Sequence, residues 1–147
     1  MKAAGLEFPD DLHYLVEHQV WARLEGDGSA TVGITALGIV QAGEIYMARP
    51  KTVGSVVEPG RSIAVVELAK SIVSVKSPVR GTVVAVNPRL AESPELVHRD
   101  PYGEGWLARV ALADFEADRG ALLHGEAVVA AMEHQARLFR IEDGQRS

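Results

Sequence analysis

The sequence predicts a mainly β chain, folded as a sandwich or small barrel and closed by a C-terminal helix. Two observations carry this. Between residues 21 and 110, short β-prone runs follow one another at close, even spacing, each ended by Gly, Pro or Asp, the pattern of a sandwich or barrel. Beyond that stretch the period changes, and Val128, Met132, Ala136 and Phe139 recur at helical spacing.

The elements follow in order. Residues 20–24 and 30–34, joined by Glu25-Gly26-Asp27-Gly28, read as a hairpin. Residues 35–43 are small and apolar and suit a short helix, with a strand expected at 44–48. Pro59-Gly60 turns into a strand over 62–68, and another begins near Ile72. Ser77-Pro78-Val79-Arg80-Gly81 turns into a strand over 82–86. Residues 94–105 form a loop rich in Pro, Gly and charge, before a closing strand at 106–110. Asp114 can cap a short helix over 115–118. A longer helix from 126 to 139 is expected to lay its apolar stripe on the sheet, with residues 144–147 fraying. Trp21 and Trp106 are expected in the core. The whole reads as one domain over 1–147, with its core at about 14–110 and a helical part at about 112–141.

Composition narrows the function. A formal net charge of −5 argues against nucleic acid, which needs a basic face. There are no cysteines, so thiolate metal sites, disulfides and a cysteine nucleophile are excluded, and any thiol chemistry must come from a cofactor. No signal-like or membrane-spanning segment is visible, which makes the cytosol the expected compartment and a membrane partner unexpected. The five histidines show no metal-ligand spacing, and no metal is expected. Neither a Gly-x-Ser-x-Gly elbow nor a phosphate-binding glycine loop is present, so the chain is not read as an enzyme.

The informative stretch runs from Val65 to Gly81. Two β-prone runs flank Lys70, which places it at the tip of a tight hairpin, far from other backbone. Taken alone, a turn lysine is a solvated charge. Here Glu67 stands three residues before Lys70, Ser77-Pro78 follow it, and Gly81 lies eleven residues after. Lys76, close to the next turn, reads as an exposed strand lysine.

This segment resembles the lipoyl-attachment hairpin of glycine-cleavage H proteins. The stretch Glu25-Gly26-Asp27-Gly28-Ser29-Ala30-Thr31-Val32-Gly33-Ile34-Thr35 resembles the same family's amino-terminal hairpin. Pro94-Glu95-Leu96-Val97-His98-Arg99-Asp100-Pro101-Tyr102-Gly103-Glu104-Gly105-Trp106-Leu107 resembles its loop and closing strand. The resemblance covers about residues 14–110, with three motifs in order. It implies a barrel-sandwich hybrid of the lipoyl/biotinyl type with short helices and a C-terminal helix. It also implies lipoate attached covalently to Lys70, with Glu67 and Gly81 recognised by a lipoate-protein ligase or lipoyl-assembly enzymes. Such a carrier is expected to be a monomer, because it docks on several partners in turn. Biotin carriers place their lysine between methionines, whereas Lys70 lies between Ala69 and Ser71.

The family also parks its loaded arm in a surface cleft, and the resemblance puts His18, Gln19 and Ser74 there. At these positions the chain departs from the family. Where H proteins have His-Glu-Trp, it has His18-Gln19-Val20-Trp21; four residues after the lysine, where they have Asp, it has Ser74. Losing carboxylates removes the pairing an ammonium cargo would use. The expectation is therefore the H-like lipoate-binding branch of sulfur-oxidising bacteria, shuttling sulfur-bound intermediates with a heterodisulfide-reductase-like complex. The alternative is the H protein of the glycine cleavage system, carrying the aminomethyl group from glycine decarboxylase to aminomethyltransferase.

Overall fold

Hydrophobic alternation along the chain produces two sheets that share one core, with a second, smaller core at the chain's two ends. The computed structural model describes residues 1–146, with side chains through Arg140; the fraying expected at 144–147 lies outside the residues described in full. The first sheet contains β3 (His13–Leu15), β4 (Val20–Leu24), β5 (Ser29–Ile34), β7 (Val56–Val57), β10 (Gly81–Val86) and β11 (Ala108–Leu112). Its spatial order is β3-β4-β5-β11-β10-β7. The second contains β6 (Met47–Pro50), β8 (Ser62–Glu67) and β9 (Ile72–Lys76) in the order β6-β8-β9. A two-stranded hairpin, β1 (Lys2–Ala3) with β2 (Leu6–Glu7), precedes them. Among the described residues these strands all pair antiparallel, and one isolated bridge, Pro59 to Ser77, is parallel. The predicted mainly β, barrel-sandwich architecture is what the chain adopts.

Val32, Val83 and Val110 of the first sheet meet Ala48, Ile63 and Val66 of the second in one buried cluster. Burying each valine or isoleucine of this cluster contributes roughly 1.5–3 kcal/mol. The helices are α1 (Ala36–Ala42), α2 (Leu96–Arg99), α3 (Phe115–Arg119) and α4 (Ala127–Arg146). As expected, Asp114 caps α3, its carboxylate accepting from the Ala117 N–H at 3.2 Å.

Several expectations shift. The strand placed at 44–48 lies at Met47–Pro50, because Ile45 turns inward instead: it is buried, and its N–H donates to His98 Nε2 at 3.0 Å. The loop at 94–105 contains α2. The closing strand begins two residues later than expected, at Ala108, and Trp106 is only partly buried against the second core. α4 does not lie on a bare sheet. Val128, Met132 and Ala136 join Ala3, Phe8, Leu12, Tyr14, Trp21 and Leu37 in the second core, so α4 packs against the N-terminal hairpin and α1 as well. Packed structure therefore extends on both sides of the 14–110 core.

Candidate functional site

Lys70 occupies the tip of the β8–β9 hairpin. Val66 pairs with Val73 and Glu67 with Ile72 across it, and the Leu68 N–H donates to the Ser71 carbonyl at 2.8 Å. That bond leaves only Ala69 and Lys70 in the loop, and both are exposed. Glu67, at the hairpin's neck, lies 3.6 Å from the Arg49 guanidinium on β6. In this partly solvated setting the pair contributes little.

Gly81 is not a hairpin-turn residue. It is the first residue of β10, paired with Leu112 on one side and Val57 on the other. A Cβ there would overlap the Ala111 carbonyl oxygen, so the close approach of two strands requires glycine. Lys76 is half-buried rather than fully exposed.

Beside the hairpin lies a cleft of about 280 Å³, and His18, Gln19 and Ser74 all line it, brought together from a short 3-10 turn and β9. Its apolar walls include Val20, Ile34, Ile45, Val66, Leu68 and Val73. Leu68 is two residues from Lys70, so the cleft begins at the root of the lysine. Among the described residues, no carboxylate, lysine or arginine lines it. The Ser74 hydroxyl is buried and has no hydrogen-bond partner among the described residues.

Gln19 lines the cleft but does not present a free amide to it. The residue is 4% exposed and adopts a left-handed backbone with φ of 55°. Its Nε2 donates to the Val16 carbonyl at 2.8 Å, and its Oε1 accepts from the Thr35 hydroxyl at 2.5 Å. Thr35 Oγ1 in turn accepts from the Gly38 N–H at 3.0 Å, capping α1. Nε2 also touches Met132 Sδ at 3.3 Å, tying the cleft floor to α4. Sequence reasoning missed Thr35 and Gln41; the N-cap signal of a threonine before a small-residue helix could have found Thr35. Among the described residues no group of three or more His, Asp or Glu gathers as a metal would need, and no described helix is long and apolar enough to cross a membrane.

A two-sheet sandwich presenting one lysine on a tight hairpin, next to an apolar cleft starting at that lysine, defines a carrier domain for a flexible prosthetic arm. The family model for the glycine cleavage H-protein matches residues 12–135. The chain is 39% identical over 129 residues to Glycine cleavage system H protein 2 of Aquifex aeolicus, covering 88% of this chain and 80% of that one. It is 44% identical over 108 residues to the glycine cleavage system H protein of Marinobacter nauticus, covering 74% and 82%. Among solved structures, a glycine cleavage system H protein from Mycobacterium marinum superposes with a TM-score of 0.66 at 32% identity, over 72% of this chain and 87% of that one. The chain belongs to the glycine cleavage H-protein family. Members of this family are carriers and not catalysts, with lipoate attached covalently to a lysine. These matches favour glycine cleavage over the sulfur-oxidising branch expected from the sequence.

Proposed function

We propose that Lys70 carries the lipoyl group and that the chain is the H protein of glycine cleavage, taking an aminomethyl group from glycine decarboxylase to aminomethyltransferase in the cytosol. The observation that carries this is an exposed hairpin lysine at the mouth of an apolar cleft, within a family match spanning residues 12–135. The residues present fit the group. Apolar walls suit a methylene chain, and the unpartnered Ser74 hydroxyl offers a hydrogen bond to a polar atom seated there. The lipoyl group supplies a dithiolane, whose sulfur chemistry this cysteine-free chain lacks.

The protein's own residues hold and present. The two-residue loop exposes the Lys70 amine for acylation by a lipoate-protein ligase. In this proposal Glu67 marks the hairpin for that ligase, and Gly81 lets β10 close against β11 behind it. Gln19 and Thr35 fix the cleft floor, and the cleft walls exclude water from the chain seated on them.

A second reading, a sulfur-bound and uncharged cargo, is favoured by one observation: among the described residues the cleft carries no carboxylate to pair with an ammonium. Glycine–bicarbonate exchange by glycine decarboxylase separates the two, using chain whose Lys70 lipoylation is confirmed by mass. Exchange that disappears in Lys70→Arg supports the H-protein role. Absence of exchange beside a working H-protein control transfers the assignment to the second reading.

A further inference from the structure

The outward face of the three-stranded sheet differs in charge from the rest of the molecule. Residues 47–76 contain five basic and two acidic side chains, whereas the remainder contains ten basic and eighteen acidic ones. Strand pairing decides where these groups point. Arg49 pairs with Val65, and Glu67 pairs with Met47 and Ile72. Alternation along each strand then puts these five on one face, while Ala48, Ala64 and Val66 face the core. The same alternation along β9 puts Lys76 on the outward face and Ser74 where that face meets the cleft, and Lys51, the residue after β6, is exposed beside it. Glu67, the one carboxylate there among the described residues, is paired with Arg49. Ile72 is 69% exposed and Val65 36%. Apolar side chains ringed by cations, with Lys70 at the end of the same hairpin, have the make-up of a transient interface: an apolar centre inside a charged rim.

Resting on the carrier reading, we infer that the ligase that acylates Lys70 docks on this face through a protein surface of complementary make-up, an apolar seat for Ile72 within an acidic rim. Lys51, Lys76 and Arg49 steer the encounter, and Ile72 supplies the contact. A carrier that must leave each partner benefits from this division, because rim charges raise the on-rate without greatly slowing release.

The test is kcat/KM for acylation of Lys70 by lipoate-protein ligase, with the full chain at low and high salt. The expected result is a fall of about tenfold for Lys51→Glu with Lys76→Glu at low salt, shrinking at high salt as screening grows. Ile72→Ser is expected to lose about five- to tenfold at both salts. Arg140→Glu, on α4, serves as the control for a charge change elsewhere and stays at the parent value. Urea midpoints matching the parent establish that the variants are folded. Folded variants that all stay within about twofold of the parent at both salts overturn the inference. So does binding of the chain to anionic lipid vesicles, lost in Lys51→Glu with Lys76→Glu, if acylation is unchanged in those variants. A parent chain that is never acylated at Lys70 overturns the carrier reading itself, and this inference with it.

Discussion

The imidazole of His13 on β3 stacks on that of His124, with ring centroids 4.3 Å apart and planes 18° from parallel. The Phe115 ring meets His13 edge-on at 5.2 Å. Two backbone bonds of 2.8 Å between Tyr14 and Leu123, one in each direction, clasp the segment before α4 to β3 next to this stack. His13 is 7% exposed and its Nδ1 has no hydrogen-bond partner among the described residues. Burial, then His124, then Arg119 hold its pKa below the ordinary 6.5.

A depressed base loses stability on acidification, because the unfolded chain binds the proton first. Stability supplied by the neutral His13 is fully present above pH 6.5 and falls as the pH drops through that value and toward the lower folded pKa. Urea midpoints measured from pH 8 to pH 5 are expected to decline in that window. His13→Phe, which keeps a ring and removes the titration, is expected to flatten the decline. An undiminished slope in that variant would assign the acid sensitivity to another group.

Gln19→Glu looks like a restoration of the family's usual carboxylate, but the geometry predicts damage. The Nε2 donor to the Val16 carbonyl would be replaced by an oxygen facing an oxygen, at a site 4% exposed. The expected loss is about 1–3 kcal/mol at neutral pH. Protonating the new carboxyl restores a donor, so part of the lost stability is recovered at mildly acidic pH. Equal stability of the two proteins at pH 7 would show that the amide's bonds contribute nothing.

Gly33 lies under the Trp21 ring, where a Cβ would come 2.5 Å from Cζ2 and 2.6 Å from Cε2. The indole cannot retreat easily, since its Nε1 donates to the Ile34 carbonyl at 3.1 Å and the Pro101 carbonyl at 3.2 Å. Gly33→Ala is expected to cost about 1–3 kcal/mol by overpacking. Chemical denaturation measures the loss, and a red-shifted tryptophan emission would report the displaced ring.

Asp118 is 3% exposed and accepts from both the backbone N–H and the Nε of Arg80, each at 2.8 Å. It anchors α3 to the turn that leads into β10. Asp118→Ala removes two charge-assisted bonds and is expected to cost about 2–4 kcal/mol. A denaturation midpoint like the parent's would mean the turn holds itself.

Signals local in sequence were legible in advance. The 20–34 hairpin announced itself through Gly26 and Gly28, and the Lys70 hairpin through β-prone runs on both sides. His18, Gln19 and Ser74 line one cleft, and its use by the arm is the proposal made above. The sequence did not reveal that Gln19 spends its amide on Val16 and Thr35, because hydrogen bonding to a distant cap depends on packing rather than pattern. The strands β1 and β2, two residues each, leave no periodicity to detect. Gly81 looked like a turn residue because its real constraint, the Ala111 carbonyl, lies thirty residues away in the chain.

The two-residue loop at Lys70 has a geometric consequence. If Lys70 bears the arm, as proposed above, a loop closed by the Leu68–Ser71 bond provides a fixed pivot, and the arm's reactive end sweeps a sphere set only by the lysine stem and the group attached to it. Each partner must therefore bring its reaction centre inside that radius when it docks. In return, the reactive end is confined to a small volume, and its effective concentration at each centre falls steeply with any lengthening of the loop.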